Sequence, residues 1–207
     1  MMGYIAHVRK DGDGWVIHSL DEHLREVARR AGLCAAQFHA SDWATVAGLW
    51  HDFGKYAPAF QSMIQRESGY NPEAHIENGP RNHSTAGALY AVQKLGLPGR
   101  ILAYLIAGHH AGLPDWHGDQ NAGAALSVRL TQNEHLGALP LAEIPADILA
   151  PPLPAIPKIP GSREGAHLWL RMLFSCLVDA DFLDTEAFMA PDKAATRQQD
   201  VTVAQLL

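Results

Sequence analysis

The adjacent pair His51-Asp52 sets a neutral imidazole beside a carboxylate, a combination that suits first-row transition metals and leaves positions open for water and substrate. Such a dipeptide arises often by chance, so its company decides its meaning. His83 precedes a serine that can cap a helix, His109 and His110 close another apolar helix, and Asp181 brings a second carboxylate from an apolar segment. Imidazoles and carboxylates left unpaired in a core are costly, whereas a coordinated cation compensates them. Twelve histidines in 207 residues are an unusual supply of ligands, because His is the commonest neutral metal ligand and a middling choice for a core. Imidazole-rich ligation selects Mn, Ni, Co or Fe and makes Mg the less suitable ion. On spacing alone other readings stay open. His23 fits the polar rim of a helix face, His109 and His110 fit cations at a helix C-terminus, and Lys55 fits a solvated lysine beyond a helix end.

Helices must carry these residues, and the apolar periodicity supplies them almost throughout, which predicts an all-α domain. A first helix is expected over about 20–31, with Ser19 and Glu22 as a capping box, Leu20, Leu24, Val27, Ala28 and Ala31 on one face, and Gly32 as its end. A second follows the cap candidates Ser41 and Asp42, repeats Trp43, Val46, Ala47 and Trp50, holds His51 and Asp52 in its last turn and stops at Gly54. Pro58 opens a short helix to about Arg66, a loop delivers His83, Ser84 starts a helix to Leu95 and Gly96, and Pro98 opens another that His109 and His110 end. Seven of the thirteen prolines fall between Pro140 and Pro160, a density that predicts a long extended connection without helix. The last core helix, about 163–183, is apolar nearly all round, which predicts a central buried position. Asp179 and Asp181 cannot both face one site, since two residues turn a helical side chain by about 200°. Asp181 continues the stripe of Phe174, Leu177 and Val178 and is the expected one. His7, His18, His39, His75, His117, His135 and His167 are expected to be structural or surface residues, with His18 and His117 the best candidates for outer partners of ligands.

Composition narrows the function classes. The length and 47% apolar content suit one core, so residues 1–207 read as a single domain. No apolar run approaches the roughly 18 residues of a membrane span, and Met1 to Lys10 lacks the pattern of an export signal, so a cytoplasmic protein is expected. Cys34 and Cys176 are too few for a disulfide framework and are expected to be reduced core residues. A net charge of −6 means that nucleic acid must be met by a local patch and not by the overall field. The single Gly-Lys, Gly54-Lys55, is followed by Tyr56 and lacks the spacing of a phosphate-cradling loop, so the chain carries no ATP motor.

Taken in order, five segments resemble the HD nuclease domain of the CRISPR-associated protein Cas3, either stand-alone or as the front part of the nuclease-helicase. They are His18-Ser19-Leu20-Asp21-Glu22-His23-Leu24, Trp50-His51-Asp52-Phe53-Gly54-Lys55, Asn82-His83-Ser84, Gly108-His109-His110-Ala111-Gly112, and the run from Leu173 to Glu186. The resemblance covers nearly the whole chain, and the last run looks most like the compact type I-C branch. It implies an HD-domain helical bundle in which His23, His51, Asp52 and Asp181 ligate one metal. His83, His109 and His110 would complete a second position, with Asp52 as a bridge. Paired cations about 3.5 to 4 Å apart can clamp both the attacking and the leaving oxygen of a phosphodiester. Lys55 is then placed to meet a non-bridging phosphate oxygen or the developing charge, which makes Lys55 and Asp52 the expected catalytic residues. The implied activity is metal-dependent cleavage of single-stranded DNA in CRISPR interference, fed by a helicase and recruited by the crRNA-guided surveillance complex Cascade. The helicase would be a separate chain or a missing C-terminal part, and the ending at Leu207 is compatible with both. Two rivals use the same residues differently: a phosphohydrolase of nucleotides or cyclic dinucleotides, and a non-catalytic docking module.

Overall fold

The computed structural model describes residues 3–118, 125–155, 157, 159 and 161–197, so the chain ending lies outside the described residues. The chain enters through an antiparallel hairpin, β1 (Ile5–Asp11) and β2 (Gly14–Ser19), which the helical periodicity does not announce. Gly12, at φ 58°, opens its two-residue turn, where a hairpin favours a backbone that only glycine adopts freely. The inner face of this ribbon carries His7, Arg9 and His18. Their rings and stems pack on Phe188 and Thr185, so the alternation is real but not written in apolar residues.

The other described elements are helical: α1 (Leu20–Ala35), α2 (Ser41–Trp50), α3 (Pro58–Glu67), α4 (Ser84–Leu95), α5 (Gly99–Gly108), α6 (Leu126–Arg129), α7 (Glu134–Gly137), α8 (Ala146–Leu149), α9 (Ser162–Met189) and α10 (Pro191–Arg197). The predicted all-α, HD-type architecture is thus the observed one, with the hairpin added. α1 packs on α2 and α9, and α4 packs on α5. Leu24, Val27, Trp50, Phe53, Leu105 and Leu177, all buried, fill the space between them. No helix among the described residues is long and apolar enough to cross a membrane.

Several local expectations change. Gly32 does not end α1, which runs on to Ala35. A Cβ at Gly32 would press on Thr45 and Ser41, and one at Gly48 on the Ala28 backbone, so both glycines serve the close approach of α1 and α2. Ser19 stands at the N-cap of α1 without a side-chain capping bond, and the Ser41 hydroxyl donates to Gly32 O instead of capping α2. α2 ends at Trp50, not at Gly54; His51 is its C-cap and Asp52 follows, leading into a 3-10 turn over Phe53–Tyr56.

The proline-rich connection does contain one helical turn, α8, because its prolines are uneven and leave 146–150 free of them. Backbone carbonyls of this irregular stretch are satisfied by donors from the core. Trp50 Nε1 donates to Ile148 O (2.9 Å), Trp43 Nε1 to Ala155 O (3.0 Å) and Tyr90 Oη to Leu149 O (2.7 Å). α9 is not central: Leu173, Cys176, Leu177 and Ala180 are buried against the body, while Leu168 and Phe182 are 62% and 54% exposed. Apolar residues all round a helix therefore do not here mean cover all round. Cys176 is buried, but Cys34 is exposed and not a core residue; both are free thiols, facing each other across α1 and α9.

Candidate metal centre

Helix ends aim the imidazoles. His51 and His109 each stand at the C-cap of their helix, and each donates Nδ1–H to the carbonyl three residues back, Gly48 O (2.8 Å) and Ile106 O (2.7 Å). One device used twice fixes both tautomers and turns both Nε2 lone pairs the same way, into the interior. On α1, His23 Nδ1–H donates to Asp184 Oδ2 (2.7 Å), which leaves its Nε2 free as well. His83 arrives at the start of α4. Its turn is held by Asn82 Oδ1, which accepts from the backbone N–H of Ser84 and Thr85 and from both hydroxyls. The predicted cap by Ser84 is thus supplied two residues earlier.

These Nε2 atoms converge on Asp52, whose two oxygens face different partners. Oδ2 lies 3.4 Å from both His23 and His51 Nε2, and Oδ1 lies 3.4 Å from both His83 and His109 Nε2. Asp181 Oδ1 stands 3.4 Å from His23 Nε2 and 3.6 Å from His51 Nε2. His110 joins the second group through His83, their Nε2 atoms 2.6 Å apart. Within each of the sets His23, His51, Asp52, Asp181 and Asp52, His83, His109, His110, one ligand atom per residue lies within 4.8 Å of the others. Asp179, by contrast, is exposed.

The donor atoms fit a cation. His23 Nε2, His51 Nε2, His109 Nε2 and Asp52 Oδ1 are buried without a hydrogen-bond partner. Buried polar atoms are rarely left so. Their spacing of 3.4 Å is too long for good hydrogen bonds, yet close to the roughly 3.3 Å separating two tetrahedral ligands that each bind an ion at about 2.0–2.1 Å. Lys55 is 5% exposed, and its Nζ lies 2.7 Å from Asp52 Oδ2 and donates to Ala6 O. The site opens toward solvent on the side of His110, which is exposed, and of the partly exposed side chains of His83 and Asp181; His51 and His109 are sealed.

Charge in the ion-free chain is arranged around the same carboxylates. Burial works against an imidazolium at His23, but Asp181, Asp184 and Asp52 overcome it and hold the pKa up at about 9. At His51 burial is likewise overridden, by Asp52 and Asp181, to about 10. Asp52 sits well below the usual carboxylate range despite its burial, through Lys55, His51 and His83, and Asp181 is lowered despite its burial by His23 and His51. Burial pushes His7 and His83 down to about 3. His23 and His51 thus stabilise the fold fully below pH 6.5 and lose that contribution as pH climbs through 9 and 10. His7 and His83 act oppositely: between pH 6.5 and 3 the unfolded chain takes up protons that the folded chain refuses, so stability falls as pH falls. Thermal melts of the chelator-treated chain are expected to peak near pH 6.5 and to decline on both sides. A melting temperature that keeps climbing from pH 6.5 to 9 would contradict this placement of charge.

The structure thus brings together His23, His51, Asp52, His83, His109, His110 and Asp181, with Lys55 on Asp52. It also supplies partners that the sequence reasoning did not single out. Asp184 lies three residues after Asp181 on the same face of α9, a spacing that could have flagged it. His18 Nε2 stands 3.6 Å from Asp184, behind His23, whereas His117 is exposed and takes no part in either set.

No curated protein matches the chain significantly. The family described as Cas3, HD domain, matches residues 8–171, which includes six of the seven converging residues and stops before Asp181. A match over most of the length, on a helical fold with a buried histidine and aspartate centre, decides the family: the chain belongs to the Cas3 HD domains, metal-dependent hydrolase domains of the CRISPR machinery.

Proposed function

We propose that this chain is a nuclease that hydrolyses phosphodiesters of single-stranded DNA, using one or two divalent transition-metal ions. The observation that carries this reading is the split of Asp52, one oxygen toward His23 and His51 and the other toward His83 and His109. His23, His51, Asp52 and Asp181 would hold one ion, and Asp52, His83, His109 and His110 the second. Mn, Ni, Co or Fe match this imidazole-rich set better than Mg. Such ions supply Lewis-acid polarisation of a phosphoryl oxygen and activation of water at neutral pH. The chain's own residues do the rest. Gly48 O, Ile106 O and Asp184 hold three imidazoles in one tautomer, so no reorganisation is needed at the moment of reaction. Lys55, paired with Asp52, is the residue we assign to negative charge on the phosphate. Substrate enters from the side of His83, His110 and Asp181. In CRISPR interference the strand would come from the Cas3 helicase, on a target chosen by the crRNA-guided surveillance complex Cascade.

Incubation of the Mn-loaded chain with circular single-stranded DNA tests this directly. Linear and shorter products that vanish with chelator are expected. Turnover of mononucleotides or cyclic dinucleotides with DNA untouched would replace the reading with a small-molecule phosphohydrolase. A chain that takes up no ion, even when purified without chelator and then reloaded, would leave only docking.

A further inference from the structure

Arg129, at the end of the single-turn helix α6, belongs to neither ion set yet is tied to the segments that carry one of them. Its Nε donates to Thr85 Oγ1 (3.0 Å), its Nη2 to Ser84 Oγ (2.6 Å), Thr85 Oγ1 (2.9 Å) and Asn82 Oδ1 (3.2 Å), and its Nη1 to Ala107 O (2.6 Å). The first three partners flank His83; the last lies two residues before His109. One planar fork therefore spans the two segments that deliver the second histidine set. His135 adds to the same anchor, its Nδ1–H donating to Asn82 O (3.1 Å). None of the contacted acceptors is a carboxylate, so the guanidinium is not held for an ion pair. What it holds is geometry, since the planar fork reaches four acceptor atoms, Thr85 Oγ1, Ser84 Oγ, Asn82 Oδ1 and Ala107 O, with Nη2 sharing its two hydrogens among three of them, a fixed arrangement that a lysine cannot reproduce. The first set is held differently: His51 caps the C-terminus of α2, which packs on α1, while His23 and Asp181 sit within α1 and α9, long helices that pack directly on each other.

We propose that Arg129 is a positioning residue for the second ion, clamping the His83 segment to the end of α5 that presents His109 and His110. The inference rests on the reading of Asp52, His83, His109 and His110 as an ion position. Charge and position make opposite predictions here. If the guanidinium acted mainly as a nearby positive charge, its removal would strengthen cation binding; if it acts as a clamp, its removal weakens binding at the second position alone.

Mn(II) titration followed by electron paramagnetic resonance and by calorimetry separates the cases, since two neighbouring ions couple magnetically and one ion alone gives a simple six-line spectrum. Arg129→Lys retains the charge and loses the fork, and Asn82→Ala retains Arg129 and loses one of its four acceptors together with the bonds that hold the start of α4. Both variants are expected to bind the first ion within about twofold of the parent chain and the second about 10–100-fold more weakly, the range seen when outer partners of ligands are removed. The coupled signal should give way to the six-line one at equal Mn. Equal weakening at both positions would reveal mere support of the fold, and an unchanged or tighter second ion in either variant would overturn the clamp. Should the parent chain itself take a single ion, the two-position reading falls, and this inference with it.

Discussion

Replacing Asp52 with alanine is expected to abolish cleavage of circular single-stranded DNA, by about 10³-fold or more, which corresponds to at least about 4 kcal/mol of transition-state stabilisation. Asp52 is the residue common to both histidine sets, so its loss removes a ligand from each at once. Asp181→Ala touches only the first set and His110→Ala only the second, and each should leave one ion in the titration where Asp52→Ala leaves none tightly held. The same substitution has a second consequence. Asp52 is buried and carries the Lys55 ammonium at 2.7 Å, so its removal strands a buried positive charge. Breaking a buried pair from one side costs about 3–5 kcal/mol. Asp52→Asn keeps the volume and allows the catalytic loss to be read in a chain nearer native packing. Activity in both variants above a tenth of the parent's would remove Asp52 from the chemistry.

The candidate site was more legible than the fold around it, and the reason is chemical. Its members are residue types that a core rejects unless something pairs them, and five of the seven sit at or near helix termini, where capping and breaking signals mark the chain. The choice of Asp181 over Asp179 followed from a helix turning by about 100° per residue, and the structure has Asp179 exposed and Asp181 facing His23. What stayed hidden were contacts between residues far apart in sequence with no distinctive type. Arg129 is one arginine among many until its fork is seen spanning Asn82 and Ala107. The hairpin was hidden for a different reason. Its inward face is His7, Arg9 and His18 against Phe188, which is polar by residue type although it packs as an apolar face would. Glycines misled in a third way. Gly32 and Gly54 read as helix stops, yet each stands where two backbones or a backbone and a side chain nearly touch.

Gly54 leads to the second large expected effect. Its N–H donates to His83 O at 2.8 Å, and an added Cβ would run into the Cα, carbonyl carbon and oxygen of His83. Nothing flexible can yield, because both sides of the clash are main chain. Gly54→Ala must therefore push the His83 segment away from the turn that carries Asp52, opening a gap in the second histidine set and straining the packing of α4. Overpacking of this kind typically costs about 1–3 kcal/mol, and a backbone clash belongs at the upper end. That is a large part of the roughly 5–15 kcal/mol that holds a domain folded. Gly137→Ala is the matched comparison: it is also a helical glycine, but nothing lies within 4 Å of its added Cβ. There the substitution only reduces backbone freedom, and a gain of about 0.5–1 kcal/mol is expected. Denaturant melts should therefore move in opposite directions for the two variants, and only Gly54→Ala should lose the second Mn ion. Equal stability in the two would mean that His83 is not held against Gly54 as the structure has it.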